Sequence, residues 1–278
     1  MNTKLIIVEG IPGSGKTTTA AHIKHHLEES GLHVKLYQEG DTRHPADYEF
    51  TACLNQTQFG EILTKYPKEQ DLIREYTKEK EDLYFIQYHE LRIEDGGNSF
   101  IADDLASYDV YELDLETYEN VSYNYWEEFI NGTNFDNTVY IFECCFLQNP
   151  FTTFIAKHNA GIPRLEHHVS RIGSLIAPLN PLLIYLYQDD IRKSFKQVYE
   201  ERDQGWRDFF TDYHMKNGYG KDTQLTGFNG LVEYLEMRRD EELRLVESMD
   251  IRKLLIMNDE KDWEEYYRLI NRELSHLE

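Results

Sequence analysis

GIPGSGKT, Gly10–Thr17, stands between the apolar run Leu5–Val8 and a helix-like run that starts immediately after it. The spacing fits Gly-x-x-x-x-Gly-Lys-Thr, the pattern of a loop that cradles phosphates. Gly10, Gly13 and Gly15 admit backbone angles that side chains forbid, and they let bare N–H groups converge on one anion. Lys16 brings a mobile positive charge to the terminal phosphates. Thr17 offers a hydroxyl to a Mg2+ ion that keeps several of its waters. The helix that begins near Gly15 points its positive end at the same place. The expected nucleotide-holding set is therefore Gly10, Ile11, Pro12, Gly13, Ser14, Gly15, Lys16, Thr17 and Thr18. A ligand-free glycine turn would explain the glycines but not Lys16 and Thr17.

The surroundings match what such a loop needs. Leu5–Val8 is a short, β-branched-rich run, as in a buried parallel strand. After the loop, Ala20, Ile23 and Leu27 recur at helical spacing and Gly31 follows as a stop. Further strands are expected from His33, Thr138, Leu182 and Arg252 onward, with helices between them. Alternation of this kind predicts a parallel sheet covered on both faces. The stretch from about 51 to 131 is too long for a simple crossover and reads as a helical insertion in a single domain over 1–278. Within it, "KEQDLIREYTKEKEDLYFIQYHELRIE" reads as one long amphipathic helix, with Leu72, Tyr76, Leu83, Ile86 and Leu91 near one face, broken at Gly96–Ser99.

Lys+Arg number 29 against Asp+Glu 51, a net charge of −22, which repels nucleic-acid backbones and anionic membranes. Neither is expected as a partner. Cys53, Cys144 and Cys145 form neither a disulfide framework nor a CxxC metal signature. The apolar run before the loop is too short for a signal peptide. No stretch reaches the roughly 20 apolar residues of a membrane span. A soluble, cytoplasmic protein is the expectation.

Candidate residues gather at strand ends, where open α/β sheets bind ligands. Glu143 ends the third strand, where an acidic residue would hold Mg2+ with Thr17. Glu39 and Asp41 follow the second strand, and either could take a proton from a substrate hydroxyl; Arg43 and His44 share their loop. Whether Glu39, Asp41 or Glu143 is the base stays open. After the fourth strand come Arg192, Lys193, Lys196, Arg202 and Arg207, a basic run in an acidic chain. Arginines folded over a moving phosphoryl group stabilise its charge, and Arg192 and Arg202 are the favoured pair. Weaker candidates are Arg164 and Arg171 for an anionic acceptor, Arg74 in the insertion, and Asn258 and Asp259 beside a nucleotide base. His22, His25, His26 and His33 lack a metal-like partner set.

These features resemble the P-loop kinases, above all the nucleoside and nucleotide kinases. The likeness rests on "VEGIPGSGKTT" at Val8–Thr18, "YQEGD" ending strand two, "FE" ending strand three, and the Arg-rich segment at about 189–210, placed like their lid. It implies a P-loop NTPase three-layer α/β sandwich, a five-stranded parallel sheet of order 2-3-1-4-5, and ATP with Mg2+. Because kinases of this group are often dimers, it also implies a homodimer. No guanine-reading Asn-Lys-x-Asp is present, so ATP is expected rather than GTP. Those kinases usually carry an arginine after the strand-three acid; here Cys144 follows Glu143. The expected activity is ATP-dependent phosphorylation of a nucleoside, a nucleotide or another hydroxylated small molecule. The alternative is a nucleotide-switched regulatory ATPase acting on a protein partner.

Overall fold

A computed structural model describes residues 2–94 and 100–276; the expected break at Gly96–Ser99 lies outside them. In chain order the elements are β1 (Leu5–Gly10), α1 (Lys16–Glu29), β2 (His33–Tyr37), β3 (Thr51–Asn55), α2 (Gln56–Lys65), α3 (Gln70–Glu75), β4 (Thr77–Lys80), β5 (Leu83–Gln87), α4 (Tyr88–Glu94), α5 (Phe100–Ala106) and α6 (Leu115–Gly132). There follow β6 (Thr138–Glu143), α7 (Gln148–Phe151), a π-helical turn (Thr152–Lys157), α8 (Ile162–Ile176), β7 (Leu182–Tyr187), α9 (Ile191–Glu201), α10 (Gln204–Lys216), α11 (Gly218–Asp222), α12 (Gly227–Ser248), β8 (Arg252–Met257) and α13 (Trp263–Ser275). The chain divides into two units, Met1–Glu39 with Glu127–Glu278, and Gly40–Trp126.

The first unit is built on a parallel sheet of order β2-β6-β1-β7-β8. Counting only the strands of this sheet, that is 2-3-1-4-5, as expected. Leu5, Ile6, Ile7 and Val8 are fully buried because β1 is central and has no face left to water. Each side chain of that kind contributes about 1.5–3 kcal/mol on burial. One core joins Ile6 and Val8 to Ala20, Ile23 and Leu27 of α1 and to Tyr266, Ile270 and Leu274 of α13. The expected helix over "IRKSFKQVYEERDQGWRDFF" is two: α9 ends at Glu201, and Asp203 restarts the chain by accepting the Trp206 N–H at 2.9 Å.

The second unit corrects the all-helical expectation. It contains an antiparallel sheet, β3-β5-β4, over a core that includes Ala52, Leu54, Phe59, Ile62, Ile73 and Ile86. The supposed long helix ends at Glu75. Glu81 then takes a left-handed φ of 53° and turns the chain back, so that "TKEK" pairs with "LYFIQ". Leu83, Tyr84, Phe85 and Ile86 prefer a pleated, half-buried surface, and pairing on both sides of β5 outweighs the helical spacing. No described helix is long and apolar enough to cross a membrane.

Candidate functional site

The loop lies between the end of β1 and the first turn of α1. Gly10, Gly13 and Gly15 all have positive φ, at 145°, 81° and 90°. All three are pressed from outside the loop, Gly10 by the Leu186 carbonyl of β7 and the other two by side chains. A Cβ on Gly13 would lie 2.2 Å from Val198 of α9, and one on Gly15 would lie 2.2 Å from the Trp263 ring of α13. From the end of β8, Asn258 donates through Nδ2 to the Ser14 carbonyl. Lys16 is buried and folds back, its Nζ donating to the carbonyls of Gly10 (3.0 Å) and Ile11 (3.1 Å).

Thr17 Oγ1 donates to Glu143 Oε1 at 2.6 Å. Glu143 is buried, and its other oxygen has no partner among the described residues. Burial pushes its carboxyl up, while the Thr17 bond and Lys16 pull it down and Glu39 raises it again. A hydroxyl and a carboxylate with an orphaned oxygen, beside the loop lysine, fit a hard divalent cation. Glu39 is exposed, with both oxygens held: Gln148 Nε2 donates to one at 2.9 Å and Cys144 Sγ–H to the other at 3.3 Å. Donor atoms of Glu39, Glu143 and Cys144 lie within 4.8 Å of one another.

Around this point opens a cavity of about 600 Å3. Pro12, Gly13, Gly15, Lys16, Thr17 and Thr18 form its loop end, with Glu39, Glu143 and Gln148 beside them. Trp206, Phe209, Phe210 and Tyr213 of α10 form an aromatic wall. Arg202 lines it too, at the break between α9 and α10, 5.3 Å over the Trp206 ring. Arg238 and His214, both buried, line the cavity as well. Arg238 Nε donates to Glu242 Oε1 at 2.8 Å, and Tyr185 OH donates to Glu242 Oε2 at 2.7 Å. Arg238 Nη2 and Gln148 Oε1 remain unpartnered among the described residues.

Other expected residues stand elsewhere. Arg192 does not line the cavity; its Nη1 donates to Asn229 at 2.9 Å. Asp41 belongs to the second unit and closes its own turn, accepting the Arg43 N–H at 3.0 Å. His22 bonds Asn271 and stacks on Tyr267. The residues missed in the sequence are Gln148, His214, Arg238 and the α10 aromatics. For Arg238 there was a signal: with Leu231, Leu235 and Glu242 it follows helical spacing, placing an ion pair on the apolar stripe of α12. Glu9, a carboxylate inside an apolar strand, was the other. Fully buried, it is pushed up to about 7 by burial, while backbone N–H groups pull it down and Glu242 raises it.

His214 gives a pH prediction. Its Nδ1–H donates to the Phe210 carbonyl at 2.8 Å, and burial, with Arg238 nearby, lowers it to about 4. A depressed folded-state value means that the unfolded chain takes the proton first. Stability is therefore full above about pH 6.5 and falls on acidification toward 4, by on the order of 3 kcal/mol from this group. The melting temperature should fall accordingly from pH 7 to 4, and His214→Gln should reduce that fall.

The family model described as "Chromatin associated protein KTI12" matches residues 3–59, which run from β1 through the loop, α1, β2 and β3 into the first turn of α2. A solved structure of thymidylate kinase from Candida albicans is 14% identical, with 97% of this chain and 93% of that chain covered and a TM-score of 0.38. No curated protein matches. The loop between β1 and α1 and the strand order β2-β6-β1-β7-β8 give this chain a parallel α/β fold of the P-loop kind.

Proposed function

We propose that the protein is an ATP-dependent, Mg2+-assisted kinase of a small hydroxylated molecule, with nucleosides and nucleotides among the candidate acceptors. The observation that carries this reading is the extent of the cavity. Its loop end suffices for phosphates, yet it continues to an aromatic wall and a buried arginine that hydrolysis by water would not need. Lys16 and Arg202 supply positive charge to the moving group. Glu39, held by both oxygens, takes the acceptor's proton as its oxygen bonds the γ-phosphorus and the bond to the ADP oxygen breaks. Arg238 Nη2 offers the acceptor a donor. Thr17 and Glu143 would hold Mg2+, which when bound offsets charge on the phosphate oxygens.

The test is ADP release across nucleosides, nucleotides and hydroxylated antibiotics. One class should raise turnover far above the basal rate. The second reading, a nucleotide-switched regulatory ATPase, is favoured by the chromatin-associated family's match at residues 3–59. A basal rate that no acceptor moves and a protein partner does would select it. Glu143→Gln should raise the Mg2+ concentration for half-maximal rate about tenfold or more, while metal-free nucleotide binding, followed by calorimetry, stays within about twofold.

A further inference from the structure

Glu9 lies in β1 immediately before the first loop glycine, and none of the roles above uses it. It sits where a charge is most costly, in the central strand of a buried parallel sheet. Bringing a carboxylate into such surroundings costs several kcal/mol even after relaxation, and Glu242 adds repulsion. Three backbone donors offset this. Glu9 Oε1 accepts the N–H of Phe146 at 2.8 Å and of Leu147 at 2.9 Å, and Oε2 accepts that of Gln148 at 3.1 Å.

Those amides are consecutive and form the turn that leaves β6. The turn begins at Cys144, which holds a left-handed φ of 70° and donates its N–H to the Val8 carbonyl at 3.3 Å. Its far end is folded back, the Asn149 N–H donating to the Cys144 carbonyl at 3.0 Å. The side chains at its two ends, Cys144 and Gln148, are the ones that hold the two oxygens of Glu39. A turn can be capped at far less cost by an asparagine or serine. Here a carboxylate is spent on one whose outward contacts end on the cavity's own carboxylate.

We infer that Glu9 is a positioning residue for phosphoryl transfer: by clamping the amides of 146–148 it fixes Gln148 and Cys144, and through them aims Glu39 at the acceptor hydroxyl. This rests on the kinase reading above. Glu9 touches neither nucleotide nor acceptor in this account, so its removal acts on geometry alone.

The experiment is a double-mutant cycle on the full chain. Glu9→Gln keeps the shape and one accepting oxygen but turns an NH2 toward an amide N–H. Acceptor-dependent kcat should fall about tenfold to a hundredfold, the effect of a misplacement of about 1 Å, with KM for ATP within about twofold. In a Glu39→Gln background the same change should cost nothing further. Additive losses, or an unchanged kcat in a protein that melts normally, overturn the inference. Should Glu9→Gln fail to fold, Gln148→Ala removes the side-chain donor and leaves the clamp; it should show the same kcat loss and the same silence over Glu39→Gln, and additivity overturns it equally. If wild type shows no acceptor-dependent turnover, the kinase reading falls on its own, and the positioning of Glu39 is read from its carboxyl 13C resonance. That signal moves in Glu9→Gln if Glu9 aims Glu39, and stays in place if Glu9 only supports the sheet; Gln148→Ala, which removes the bond to Glu39 itself, gives the size of a full release.

Discussion

Lys16→Ala is expected to lower nucleotide turnover by about a hundredfold to a thousandfold, the scale of losing one preorganised group that meets charge developing in the transition state. The wild-type side chain is already in position. It is buried against the loop, its ammonium bonded to two loop carbonyls, so little reorganisation is needed to engage a phosphate. Alanine removes the charge and the donors together and leaves the glycine backbone free to keep its shape. ADP release by wild type and variant at saturating ATP measures the effect. A variant that retains more than about a tenth of the rate would move the chemistry away from this loop.

The second large effect is on folding. Gly10→Ala should destabilise the first unit by about 3–5 kcal/mol and lower its melting temperature by roughly 10 °C. Gly10 has a φ of 145°, and a Cβ there would sit 2.2 Å from the carbonyl oxygen of Leu186, its register partner in β7. The obstacle is backbone, so no side-chain rotation relieves it; β1 and β7 would have to part. Gly31→Ala is the matched control. Its φ is 81°, and no described residue lies within 4 Å of the added atom, so only the left-handed backbone cost of about 1–2 kcal/mol remains. Equal melting shifts for the two variants would contradict this account.

The parallel sheet was legible because strands buried on both faces appear as unbroken apolar runs, as in Leu5–Val8 and Leu182–Leu186. The sheet of the second unit was not. Thr77–Lys80 is polar throughout, an edge strand with nothing to bury, and Leu83 and Ile86 coincide with helical spacing from Leu72 and Tyr76. The glycine loop between β1 and α1 was legible because its residues are contiguous. The rest of the cavity assembles from Gln148, His214 and Arg238, which share no sequence spacing. The two favoured arginines parted for a local reason. Arg192 falls in the first turn of α9 and finds Asn229, whereas Arg202 falls on the break before Asp203 and reaches the cavity.

Val198, Asn258 and Trp263 all press on or tie a loop that ends at Thr17. The glycine loop is therefore not a portable cassette. An excised fragment of strand, loop and helix would carry every residue of the signature and none of the outside walls that force Gly13 and Gly15 into their conformations. Grafting the eight residues onto another scaffold would transplant the lettering without the mould, and a working transfer would have to take α9, the end of β8 and the start of α13 with it.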